Sequence, residues 1–379
     1  MVVFFLAALV AVALPAAAQT PDAGKWEIEF RGGGMWPTNP TGGSISLPGP
    51  GQVFTTATGA TSPAPSSRRE SSWYFGDGAV LFNQAASSLA AQAASPLALP
   101  ARITALDPVL GRPMSERHRG GTVGLSVSRA LTRRLRAELS VDYSLARLQV
   151  TQLNIDAIEA TRASFLTAFD GVIRFNPNRV LNGVTSTAVL EREGGRQLFT
   201  SGAVIINLRT SGNVIPYAAV GAGAVSTVGN SPRSTLRGNY QFLLPGGAPI
   251  DETDIVVVRD TRDDHMFAGI LGGGVKYLVS PRWGVRVGAR LTLINNDAST
   301  VLDATPSVRL GMSPAGRGVL GAEPSIQFSN NSSDPVAALG VTAVAASTLT
   351  GPAMTAVRTF SGSGIMSHTA ITVGLFWRF

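Results

Sequence analysis

Apolar and polar residues alternate along much of this chain with a period of two, not three or four. In residues 25–36, Trp26, Ile28 and Phe30 fall on one side, and Lys25, Glu27, Glu29 and Arg31 on the other. A helix would mix both sets on every face, whereas a strand separates them. Residues 121–131 set Val123, Leu125 and Val127 against Thr122, Ser126 and Ser128. Residues 135–148 set Leu135, Ala137, Leu139, Val141, Tyr143 and Leu145 against Arg136, Glu138, Ser140, Asp142 and Ser144. Residues 284–293 oppose Val285, Val287, Ala289, Leu291 and Leu293 to Arg286, Gly288, Arg290 and Thr292. Residues 368–379 oppose Ile371, Val373, Leu375, Trp377 and Phe379 to Thr372, Gly374, Phe376 and Arg378. Three further segments, 198–208, 214–224 and 267–278, are strand-like but apolar or glycine-rich on both faces, which leaves their register open. The pattern predicts eight strands, each near the ~9–11 residues that cross a membrane at a tilt.

The connections alternate in length. Residues 131–134, 210–213 and 279–282 read as tight turns, while about 37–117, 149–197, 225–265 and 294–367 are long. Short turns at one end and long loops at the other are the layout of bacterial outer-membrane barrels. The expected fold is all-β: a transmembrane antiparallel up-and-down β-barrel of eight strands, with short helices in extracellular loops and both termini periplasmic. Ten strands stay open, because 254–259 and 325–328 are also extended in pattern. Unpaired backbone groups in hydrocarbon cost several kcal/mol each, so the last strand must pair with the first. No charge falls among the lipid-facing positions of the first, third, seventh and eighth strands. The charges gather on the inner face: Glu27, Glu29, Arg31, Arg136, Glu138, Asp142, Lys276, Arg286 and Arg290, together with Lys25. An eight-stranded barrel is just wide enough for its own side chains. These groups are expected to pair across the lumen as a structural network.

Composition narrows the reading. Only 15% of residues are charged, and there is no cysteine, which excludes disulfides and thiolate metal sites. Three histidines make a His-rich zinc site a poor fit, and no cofactor is expected. The net charge of +7 is scattered without a basic run, so nucleic acid is not an expected partner. Residues 2–14 are apolar and lead into Pro15 and Ala16–Ala18, the form of a secretory signal peptide spanning 1–18, with a barrel domain over 19–379. No Lys or Arg precedes the apolar run, so a short anchor or a late start codon are the alternatives.

The terminal alternation Ile371, Val373, Leu375, Trp377, Phe379 resembles the C-terminal insertion signal of bacterial outer-membrane proteins. That resemblance implies the barrel assembly machinery as a partner during insertion. Pro216–Gly223 (PYAAVGAG) and the turn at Val275–Gly284 are similar to those of small OmpA/OmpW-like barrels. The resemblance covers the strands, about a third of the chain, and implies fold and location more than function.

In the first long loop, Trp73–Phe82 is dense in aromatics, expected as a cap core over the barrel mouth, with a ligand contact as the alternative. Residues 85–94 are a candidate short helix ended by Pro96. In the second, Ile155, Ile158, Phe165, Phe169 and Val172 have near-helical spacing, with Asn154 as N-cap and Gly171 or Pro177 as stop. His118, His265 and His368 are expected at the outer rim in polar surroundings. Asp263-x-His265 resembles the Asp-x-His pair of omptin proteases, and Ser367-His368 loosely resembles the Ser/His of lipid A deacylases, both without matching partners. The glycines 272–274 and 221/223 lie inside strands and are not phosphate loops. Arg117, Arg119, Arg259 and Arg262 are candidate contacts for lipopolysaccharide phosphates. The expectation is a monomeric, non-enzymatic barrel in outer-membrane lipid with a structural or surface-interaction role and a charge-filled lumen. A small pore for ions or apolar solutes is the alternative, and a surface hydrolase the second.

Overall fold

The computed structural model describes residues 24–40, 43–45, 72–76, 78–79, 83, 102–175, 184–243, 249–305, 307–310, 326–327 and 354–379. The leader, residues 85–94, and Val80–Phe82 of the aromatic segment lie outside them. Eight strands close into one ring: β1 (Trp26–Pro37), β2 (Gly120–Ala130), β3 (Leu135–Ser144), β4 (Arg196–Asn207), β5 (Val214–Val228), β6 (His265–Leu278), β7 (Trp283–Ala304) and β8 (Met354–Arg378). Each pairs antiparallel with its sequence neighbours. β8 then closes on β1 from Glu27↔Arg378 to Pro37↔His368. Trp26 and Phe379 exchange both backbone hydrogen bonds at the seam, at 2.9 and 3.1 Å.

The wall inverts the usual burial of a folded chain. Phe30 is 63% exposed on the outside while its neighbours Glu29 and Arg31 are 2% and 5% exposed within. The same inversion runs through Val123, Leu125, Val141, Val287, Ile371, Val373 and Leu375, all exposed. A contiguous apolar band of this extent is stable only against hydrocarbon. Trp26, Tyr277, Trp283, Trp377 and Phe379 ring the turn end. Trp36 stands ten residues along β1 from Trp26. That run is about 33 Å of strand, which a tilt near 45° reduces to the ~25 Å apolar height of such barrels. The uncertain registers are settled here: Phe199, Ala203 and Ile205 of β4 and Ile215 and Tyr217 of β5 face in, while Val204, Ile206 and Val220 face out.

The three tight turns sit where expected. Thr132 Oγ1 accepts from the amides of Arg134 and Leu135, and Ser280 Oγ from those of Arg282 and Trp283. These are local side-chain turns that need no tertiary support. At the other end β7 and β8 run far past the expected 284–293 and 368–379, remaining paired from Asn295↔Ile365 to Ala304↔Met354 with bulges near Val301. Residues 295–300 are polar on both faces, so alternation gave no sign of a strand there.

A cap is built on this extension. The Arg233–Leu243 and Pro249–Arg262 strands form a hairpin that pairs with β7 on one side and Thr185–Glu191 on the other. The hairpin never enters the ring, so the ring count is eight and the ten-strand alternative falls. Residues 254–259 are the extended segment expected, and Ile326–Gln327 pairs with Ser307–Leu310 beside it. The Gln152–Phe175 helix packs across the sheet. It begins two residues before the expected cap: Thr151 Oγ1, not Asn154, receives the hydrogen bond from the Asn154 amide. The helix continues through Gly171, because one glycine costs only ~1 kcal/mol when the rest of the helix is packed.

The cap has its own core of Trp73, Tyr74, Phe75, Phe165, Phe169 and Tyr240, joined by Leu106, Ile158, Leu236 and Val256. Phe169 stacks on Tyr240 at 4.3 Å and on Phe165 at 4.5 Å. Trp73 Nε1 donates to Tyr240 Oη at 2.9 Å, while Ser72 Oγ and the Trp73 amide donate to Asp254. Gly238 has no Cβ because one would stand 2.4 Å from the Phe165 ring. The described part of the aromatic segment is thus packing, as the cap reading expected. Burial pushes the Tyr74 phenol well above its ordinary value of 10.0. The cap's stability from this group is full below about pH 10 and drains away as pH rises beyond it.

Two outcomes follow. Val141→Arg, on the lipid face, should cost ~2–4 kcal/mol, read as a lower urea midpoint for the barrel in liposomes. Phe165→Ala should cost the cap ~3–5 kcal/mol, read as faster proteolysis of the cap and an earlier loss of its near-ultraviolet circular dichroism above pH 10, with the barrel's heat-modifiable gel mobility intact.

Candidate functional site

The lumen brings all nine expected network residues together, and its chemistry comes in layers. Even-numbered positions of β3, β6, β7 and β8 and odd-numbered ones of β1 point inward, which follows from the two-residue repeat. In the central layer Arg31 grips Asp142 through two parallel bonds, Nε to Oδ1 at 2.7 Å and Nη2 to Oδ2 at 2.6 Å. Arg286 Nη1 lies 2.6 Å from both Glu29 and Glu138. Arg290 reaches Glu138 at 2.8 Å and Asp142 at 3.1 Å, and Arg31 lies 3.6 Å from Glu138. Three arginines therefore meet three carboxylates. Ser140 and Ser201 bond each other at 2.7 Å and fill the remaining donor need of Arg290.

Nearer the turns, Glu27 alone faces three cations: Lys276 at 2.5 Å, Arg378 at 3.2 Å and Arg136 at 3.5 Å. Arg136 also bonds the Ser128 hydroxyl. Aromatic faces share the excess charge. Arg286 lies 4.3 Å over Tyr217, and Lys276 and Arg378 lie 5.5 and 5.4 Å from Phe376. Such contacts are worth more once desolvated. Gly274 and Gly288 make room for the Tyr217 hydroxyl, which a Cβ at 288 would approach to 2.3 Å.

Toward the loop end the lumen turns apolar. Met35, Phe199, Val225, Met266, Ala268, Ile294, Met366 and Ala370 form one cluster. A cavity of about 30 Å³ lies between it and Arg31, Asp142 and Arg290. Among the described residues, no set of three His, Cys, Asp or Glu is arranged to hold a metal.

Several expectations need correction. Lys25 is exposed at the turn end, one residue before β1: its carbonyl accepts from the Ala130 amide at 3.0 Å, but its side chain is not enclosed, and Arg378 takes the sixth cationic place. The alternation of β8 carried that information, since Arg378 shares the inner parity of Phe376. His368 is no rim residue: it is buried in the lumen within the lengthened β8, edge-on to Phe199 at 5.5 Å. His118 and His265 are exposed, and His265 Nδ1 meets Ser226 Oγ at 3.1 Å. Arg117 is buried and donates to the carbonyls of Ala146 and Gly195; Arg262 holds Asp260 at 2.9 Å and Ser115 O at 2.8 Å. Neither presents its guanidinium to a lipid phosphate. Arg119 remains exposed, and Arg259 is half-buried, 3.3 Å from Asp303. Phe376 lies within, on the face its alternation gave it, whereas Tyr217 was missed as a lumen residue because the register of 214–224 was open.

A closed ring with an apolar exterior, an ionic interior and aromatic belts defines a transmembrane β-barrel of the outer-membrane type. No protein-family model and no curated protein sequence matches the chain. Solved structures similar in strand pattern include the outer membrane protein OprG from Pseudomonas aeruginosa, with 11% identity, 94% of this chain and 97% of that chain covered, and a TM-score of 0.34. AlkL, solved in lipid bilayers, has 10% identity, coverage of 96% and 94%, and a TM-score of 0.32. An outer membrane channel from Pseudomonas putida F1 has 9% identity, coverage of 96% and 98%, and a TM-score of 0.20. All three are outer-membrane barrels; the closed ladder, not the likeness, makes this chain one.

Glu138 is the hub of the central layer. Glu138→Gln should strand buried positive charge on Arg286 and Arg290 and cost ~3–5 kcal/mol, measured as a shift in the urea midpoint of the folded barrel.

Proposed function

We propose that this protein is an outer-membrane barrel whose lumen is closed by its own ion pairs and whose loop-end cap faces the cell exterior as a structural or interaction surface. The observation that carries this is the pairing of six cations and four carboxylates within one eight-stranded ring, nearly all out of solvent's reach. An ion crossing that layer has to part charges already desolvated, and no hydration replaces what they lose. In this reading residues 1–18 direct export, the termini stay in the periplasm, and Ile371, Val373, Leu375, Trp377 and Phe379 present the outward, apolar edge that the barrel assembly machinery reads. The barrel works as a monomer and without catalysis, for its histidines stand apart: two exposed, one in the lumen. Arg119 and Arg259 are the remaining candidates for lipopolysaccharide phosphates.

A second reading, a path for small apolar solutes, is favoured by the methionine-rich upper lumen. Flexible thioethers line adaptable apolar sites. Such a path does not require ions to pass the charged layer.

Planar-bilayer recording separates the readings from an ion pore. The wild-type protein should show no steady, discrete openings, and a combined Arg31→Ala, Arg290→Ala variant should begin to conduct. Regular openings in the wild type would refute a closed lumen. Uptake of a small hydrocarbon into cells expressing the barrel, lost with Met366→Arg, would favour the second reading over the first.

A further inference from the structure

The charges of the lumen do not balance at the same depth. The central layer is neutral, with Arg31, Arg286 and Arg290 against Glu29, Glu138 and Asp142. The layer nearest the turns holds Lys276, Arg136 and Arg378 against Glu27 alone, an excess of two positive charges. This excess does not dissipate toward the turn end; it is added to. A cavity of about 40 Å³ opens there, and Arg133, Arg136, Arg209 and Arg378 are in its wall. No Asp or Glu occurs in residues 131–134, 208–213 or 279–282, so no acidic residue of these turns offsets the cluster. In the cavity wall, Asn207 is buried and its Oδ1 accepts no hydrogen bond from any of the described residues.

We propose that this basic funnel is a binding site for a phosphate group. Guanidinium groups present paired N–H donors that match the oxygens of a phosphate, and several of them around one concavity hold it far better than one. Arg133 and Arg209 come from two turns made adjacent by the β3–β4 pairing, and Arg378 comes from the last strand, so the site is complete only once β8 has paired with β1. A singly protonated phosphate also supplies the O–H that Asn207 Oδ1 can accept. The anion neutralises the excess around Glu27, which explains why the barrel tolerates three cations on one buried carboxylate. The phosphate comes either free from solution or as the headgroup of an anionic phospholipid in the adjoining leaflet. The site lies at the end opposite the cap and stands independently of the function proposed for it.

The test uses the full chain, folded in detergent and titrated with inorganic phosphate by calorimetry. Binding of one phosphate per barrel is expected, weakened at least about tenfold in the Arg133→Gln, Arg209→Gln double variant, the size of losing charge-assisted hydrogen bonds. A second arm counts lipids retained by native mass spectrometry after extraction from phosphatidylcholine nanodiscs with and without phosphatidylglycerol. Preferential retention of phosphatidylglycerol, lost in the double variant, assigns the phosphate to a lipid headgroup; binding of inorganic phosphate without lipid preference assigns it to solution. Both substituted side chains are exposed turn residues, and unchanged heat-modifiable mobility shows that the barrel remains folded. Absence of both phosphate binding and lipid preference overturns the proposal, as does binding that the double variant leaves unchanged.

Discussion

The pairing of β8 with β1 is the contact on which the rest depends. In hydrocarbon an unpaired amide or carbonyl has no water to turn to, so a sheet of this composition is stable only without edges. Closing the ladder fixes the number of strands, and eight strands fix a bore about as wide as the side chains it contains. Everything polar on the inner face is thereby forced into contact. The ion pairs between Arg286 and Glu29, or Lys276 and Glu27, join residues about 250 positions apart in sequence. They are consequences of closure rather than causes of it.

Within the bore the chain separates two tasks by height. The half nearest the turns is ionic and aromatic, with each guanidinium held by a carboxylate, a hydroxyl or a ring face. The half nearest the loops is built from methionine, phenylalanine and small aliphatic residues. Buried pairs of this kind add little net stability over well-packed apolar residues, because desolvation consumes most of the Coulombic gain. Their value lies in specificity: a strand shifted by one residue would turn every charge into lipid, so the network penalises all registers but one.

Above the membrane level β7 and β8 continue as a scaffold for a second, conventional core. There the inversion of the wall is undone, and Trp73, Tyr74, Phe165, Phe169 and Tyr240 are buried as in any soluble domain. The ladder of β7 is continuous across the boundary, so cap and barrel share one sheet. The cap is thereby held by backbone hydrogen bonds as well as by side-chain packing, in contrast to loops tethered only at their ends.

The barrel was legible in the order of residues alone. A two-residue repeat sorts side chains to opposite faces wherever the backbone is extended, so Trp26, Ile28 and Phe30 against Glu27, Glu29 and Arg31 already implied lipid outside and charge inside. Residue order determined the turn positions for the same local reason, since Thr132 and Ser280 satisfy their own turns. The partners and the strand ends were set in the folded molecule. Residues 295–300 carry polar groups on both faces and become strand because residues 360–365 of β8 pair with all of them, the 249–262 strand joining from Ala298 onward. Lys25 and Arg378 both have inner parity, yet Arg378 is held in the lumen by Glu27 while Lys25, just before β1, is exposed. His368 left the rim because β8 began fourteen residues earlier than its alternation revealed. Parity is a property of each strand alone, whereas strand length and charge pairing are set by neighbours distant in sequence.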